Sequence, residues 1–141
     1  MTAFFTSAQA IISRFDTQWA AAHPSFPIVH DNEHYEPVEG SDFVYLSVQF
    51  TGANAVSLGG PDTSLIRHAG LLEINFYTAL AKGTGLGLQY ADEAAALFRL
   101  QQFDGVSCGE PIPGVQRERG FAKGRWWSTP LFCVFEYDRE F

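Results

Sequence analysis

Phe43-Val44-Tyr45-Leu46-Ser47-Val48-Gln49-Phe50 alternates along its length. Val44, Leu46, Val48 and Phe50 fall on one side and Tyr45, Ser47 and Gln49 on the other, the period of two expected of a β-strand with one buried face. Leu65 to Tyr77 repeats the pattern, with Gly70, Leu72, Ile74 and Phe76 on one face and Leu71, Glu73, Asn75 and Tyr77 on the other. Two long antiparallel strands are therefore predicted. Between them, Thr51 to Thr63 holds Gly52, Gly59, Gly60 and Pro61 and reads as a loop of thirteen residues. Excursions of that length in a small domain usually carry function, so an assembly role is expected of it.

Helical periodicity lies to either side. Thr6-Ser7-Ala8-Gln9 reads as a helix start, with Thr6 capping and Gln9 reaching back. Behind it Ala8, Ile11, Ile12, Phe15, Trp19 and Ala22 recur at three- and four-residue intervals, and the helix should stop before Pro24. Pro24, Pro27 and Pro37 then punctuate an extended acidic connection with a short strand near Ile28-Val29. Gly83-Thr84-Gly85-Leu86-Gly87 opens a second helix, whose apolar face is Tyr90, Ala91, Ala94, Leu97 and Phe98 and whose stop is Gly105. The remainder reads as a strand at Gly105 to Cys108, a basic turn, and a closing strand through Leu131 to Asp138. Within that last strand Pro130 marks an edge or a bulge. The order predicts an α+β fold, a largely antiparallel, mixed sheet with two helices packed on one face, as a single domain over residues 1–141.

Composition narrows the function. Charged residues make up only 18% of the chain, while thirteen Phe raise the aromatic share to 15%. Interface cores are depleted of charge and enriched in aromatics, so the balance favours a surface partly covered by other chains. A net charge of −7 disfavours nonspecific nucleic-acid binding, which depends on Lys and Arg neutralising phosphates. Two cysteines form no disulfide framework, and the N-terminus has no basic stretch followed by an apolar one, so a reduced, cytoplasmic protein is expected. No apolar run approaches the ~20 residues that span a bilayer, so no membrane partner is expected.

Candidate catalytic groupings are thin. His30 and His34 are four apart, but the flanking prolines make the segment extended, and about 13 Å then separates them, too far for one metal ion. The glycines at 83, 85 and 87 lack the third glycine of a dinucleotide fingerprint, since Leu88 or Tyr90 stands there, and no Gly-Lys-Ser or Gly-Lys-Thr follows. Cys108 in a strand reads as a small buried hydrophobe, and His68, on the core side of its strand, as a structural histidine. A small cytosolic enzyme using His68, Cys108 or the glycine loop is the alternative from another class.

Charge is concentrated in two places. Arg117, Arg119, Lys123 and Arg125, opposed only by Glu118, give one segment +3 and leave −10 on the rest. Asp31, Glu33, Glu36, Glu39 and Asp42 lie in a stretch without Lys or Arg. The basic turn has three readings: a solvated hairpin, a nucleic-acid contact, or a contact with an acidic protein surface. A patch and its complement on one molecule can join head to tail, and a head-to-tail contact that closes makes a ring.

Taken in order, these segments resemble the tail terminator-like proteins of long-tailed bacteriophages and prophages. The resemblance runs through the first helix with Phe15, Phe26-Pro27-Ile28-Val29, Phe43 to Val48, and the Ser57-Leu58-Gly59-Gly60 turn. It continues through Arg67-His68-Ala69-Gly70, Gly83-Thr84-Gly85, Ala91-Asp92, Leu97-Phe98-Arg99, Trp126-Trp127 and Val134 to Asp138. The doubled tryptophan departs from the family pattern, where one is usual. The resemblance implies a subunit similar to the lambda tail terminator, in a ring of six at the head-proximal end of the virion tail, assembled in the host cytoplasm. Such a homo-oligomer caps the tube of major tail protein, stops its growth and offers a surface to a head-completion protein, with DNA passing through its lumen. It implies no catalytic residue, cofactor or metal. Interface candidates are the four basic residues, the five acidic ones, and Ser57, Leu58 and Arg67. Another head-tail connector or minor tail protein is the nearest alternative.

Overall fold

The two alternating stretches pair along their whole length. In the computed structural model, which describes residues 3–57 and 65–140, the elements run α1 (Ala3–Ala22), β1 (Ile28–His30), β2 (Phe43–Ser57), β3 (Leu65–Thr78), α2 (Gly85–Phe98), β4 (Gln102–Phe103), β5 (Val106–Cys108), β6 (Ile112–Pro113), β7 (Arg117–Phe121) and β8 (Gly124–Glu140). They form one eight-stranded sheet in the order β1-β2-β3-β8-β5-β4, with β6 and β7 also paired to β8. Only β1 and β2 are parallel; every other pairing is antiparallel. The α+β expectation holds, including both helices on one face.

Parity places the core. Val44 and Leu46, then Leu72, Ile74 and Phe76, then Leu131, Cys133 and Phe135 face α1 and α2 and join Ile11, Phe15, Trp19, Ala94 and Phe98 in one buried cluster. Each fully buried large side chain in it contributes about 1.5–3 kcal/mol. Two glycines permit close approach. At Gly87 on α2 an added Cβ would lie 2.1 Å from the Thr129 hydroxyl of β8, so the helix sits directly on the strand. At Gly70 it would lie 2.2 Å from Cζ of Phe135, the residue paired with it across the ladder.

The opposite face is covered at one end. There Phe43, Tyr77 and Trp126 form a second buried cluster with Val29, roofed by Tyr35 and Phe121. Phe43 stacks on Tyr77 at 4.7 Å and meets Phe121 edge-on at 5.0 Å. The acidic connection after β1 and the β7–β8 hairpin thus fold over the same patch.

Four expectations are corrected, and the basic turn is located. Helix α1 begins at Ala3, before the Thr6 signal, because Phe4 reaches across to Phe50 and His68 (5.1 and 5.3 Å) and extends the helix by a turn. Thr51 to Ser57 is strand: the register slips between Phe50 and Gly52, and β2 continues past this bulge. The rest of the expected loop, with Leu58, lies outside the described residues. Helix α2 ends at Phe98, and Gly105 belongs to the Asp104-Gly105 turn between β4 and β5, where both residues have φ near +50° to +80°, as a two-residue hairpin turn demands. Pro130 is at neither an edge nor a slip in register against β3. It falls where the far side of β8 changes partner, β7 pairing to Ser128 and β6 resuming at Leu131. The basic turn is a β-hairpin, in which Arg117 and Arg119 stand on β7 and only Lys123 occupies the turn.

Candidate assembly surface

The acidic connection is held in place by its own carboxylates. Asp31 accepts hydrogen bonds from the Tyr45 hydroxyl (2.5 Å) and the Ser47 hydroxyl (2.6 Å), anchoring the chain to β2 as it leaves β1. The first of these bonds pushes the Tyr45 pKa up to about 12. Glu33 accepts the backbone N–H of His30 at 3.0 Å and lies 3.0 Å from its Nδ1, and the backbone bond above all lowers its pKa. Asp42 closes the connection by accepting the Ala79 N–H (3.2 Å) and the Tyr90 hydroxyl (3.1 Å). Three of the five acidic residues are therefore engaged within the chain. Glu36, 3.7 Å from the exposed His34, and Glu39 remain as exposed carboxylates.

His30 ties this region to α1. Its Nε2 lies 3.0 Å from Asp16 and its Nδ1 faces Glu33. Burial works against the charged ring, but the two carboxylates outweigh it and the pKa is raised above 6.5. A raised folded-state pKa stabilises the fold fully below the unfolded value and loses that contribution as pH climbs through the folded value. Unfolding stability should accordingly decline as pH rises from the unfolded value near 6.5 through the raised folded value. Denaturant melts across that range, with His30→Asn flattening this part of the profile, check it.

The cations divide in the same way. Arg125 Nε lies 2.8 Å from Glu118 across the hairpin, an internal pair. Arg67 lies opposite Asp138, with Nε and Nη2 at 2.9 and 3.2 Å from its carboxylate oxygens and Glu136 at 3.5 Å, so it serves the β3–β8 ladder. Lys123 lines a groove of about 610 Å³ together with Glu33, Glu36 and Glu39 of its own chain. Arg117 and Arg119 make no ion pair or side-chain hydrogen bond among the described residues. They line a second groove of about 340 Å³ with Val115, Pro130, Phe132 and Glu73, on the sheet face away from the helices. Ser57 is the last residue of β2, paired with Leu65.

Exposed apolar side chains stand at that second groove and on the strands beside it. Val115, Ile112 and Val134 are exposed at 81%, 63% and 60%, an exposure that sequence periodicity alone did not flag. Ile112 stands opposite Phe132, and Val134 opposite Leu71.

The residues with catalytic potential are held for other purposes. His68 is buried and stacks on Tyr137 at 4.8 Å. Cys108 and Cys133 are both buried and free, and the neighbouring Cys133 thiol, with burial, drives the Cys108 thiol well above its ordinary range. Helix α2 begins at Gly85 without a side-chain cap from Thr84. No three His, Cys, Asp or Glu among the described residues are grouped to hold a metal. None of the described helices is long and apolar enough to cross a membrane.

A family model described as phage tail terminator protein matches residues 7–133. A solved structure with 15% sequence identity superposes over 97% of this chain and 96% of its own, with a TM-score of 0.68, which is a likeness of fold. Among curated proteins none matches.

Proposed function

The chain belongs to the phage tail terminator family, a structural and non-enzymatic one, and from that premise we propose that it assembles into a ring, a hexamer, that caps the head-proximal end of the tail tube. The ring stops addition of major tail protein on one side and receives a head-completion protein on the other, leaving its lumen open to DNA. Assembly takes place in the bacterial cytoplasm before heads and tails join. The observation that carries this reading is the family match across residues 7–133. Arg117 and Arg119, without an ion pair among the described residues and close to exposed apolar side chains, support it, because a surface of that kind suits burial against another subunit.

Negative-stain imaging of the purified protein, alone and mixed with tubes of major tail protein, tests the proposal. Annuli, or density confined to one end of each tube, are expected. A protein that stays a 15.6 kDa monomer and leaves both tube ends bare would refute it.

A further inference from the structure

The structure presents two surfaces of opposite character that share no lining residue. On the first, Arg117 and Arg119 flank a groove that Val115, Pro130 and Phe132 line together with the polar Ser128 and, the one carboxylate among the described residues there, Glu73. The second is the Glu36-Pro37-Val38-Glu39 segment, where Val38 is 67% exposed between two exposed glutamates. This segment is held ready in shape. Tyr35 packs on Phe43 at 5.3 Å, the Ser41 N–H bonds to the Val38 carbonyl at 3.0 Å, and the Trp126 indole N–H bonds to the Ser41 carbonyl at 3.3 Å.

We propose that Glu36 to Glu39 of one copy docks into the Arg117–Arg119 groove of the next, Val38 entering the apolar part and the two glutamates meeting the two arginines. The inference rests on the ring reading and names its contact. The occupant is a second copy of this chain because the complement in both charge and apolarity is present on the chain itself. Two different patches meeting make a heterologous contact, the kind that closes into a ring by rotation. The apolar part supplies most of the affinity, and the charge pairs set the register and exclude wrong pairings. A preformed segment also loses little conformational freedom on docking.

The test uses two full-length variants, Arg117→Glu with Arg119→Glu, and Glu36→Lys with Glu39→Lys. All four positions are exposed, so both variants should keep wild-type thermal melts. Each alone should associate about tenfold or more weakly than the parent, because like charges then face each other. An equimolar mixture should regain wild-type association, since the reversed groove of one fits the reversed segment of the other, in rings of alternating composition. A chain carrying all four reversals should behave as the parent. Wild-type association by either variant alone, or a mixture of folded variants that stays dissociated, would overturn the contact while leaving the ring intact. A wild-type chain that never associates, with or without tubes, would instead overturn the ring reading, and this contact with it.

Discussion

Gly70→Ala should cost about 2–4 kcal/mol of unfolding free energy, a large share of the roughly 5–15 kcal/mol that holds a domain together. The new methyl would lie 2.2 Å from Cζ and 2.6 Å from Cε1 of Phe135, and 2.5 Å from the backbone oxygen of Gln49. Neither neighbour can yield. Phe135 is 1% exposed in the main core, and the Gln49 oxygen belongs to a strand paired on the far side of Gly70. The midpoint of thermal unfolding should drop by roughly 10 °C. Gly52→Ala, whose Cβ would meet nothing within 4 Å, is the matched control and should stay within about 0.5 kcal/mol of the parent. A Gly70→Ala protein melting with the parent would mean that β2, β3 and β8 are not packed as described.

That position also shows what the sequence could disclose. The parity of Phe43 to Phe50 and of Leu65 to Tyr77 was legible because one face of each strand is buried under two helices, so a single slip in register would expose every core residue. The first strand's true length was not. A bulge after Phe50 breaks the alternation, and Gly52 beyond it reads as loop although the backbone goes on pairing to Ser57. The Asp104-Gly105 hairpin signal was present in the chain but took the role of a helix stop, because a long apolar helix precedes it.

The candidate surface was legible as composition and not as geometry. The clusters of opposite charge stand out along the chain, yet which members are already engaged depends on contacts remote in sequence. Arg67 and Asp138 are 71 residues apart, and Asp42 and Tyr90 are 48 apart. Only the folded sheet separates Arg117 and Arg119 from the cations paired at home. The exposed apolar residues around them lie on β6, on β8 and before β7, too short or too mixed in pattern to reveal a face.

The second large effect concerns the virus. A tail tube grows by adding identical rings, each offering the next the same face, so growth stops only when a different surface occupies the tip. A phage or induced prophage lacking this gene should therefore yield DNA-filled heads and separate tubes, some longer than normal, and no joined particles. Infectious titre should fall by several orders of magnitude. Joined particles with defective tail tips would place the protein at the other end of the tail.

Adding purified protein back to a lysate of that deletion strain, then counting joined particles by electron microscopy, tests the terminator reading most directly. The account predicts that heads join to the existing tubes and that infectivity returns with the dose of added protein. Normal joined particles before any protein is added, or separate heads and tubes that persist however much folded protein is supplied, would contradict it.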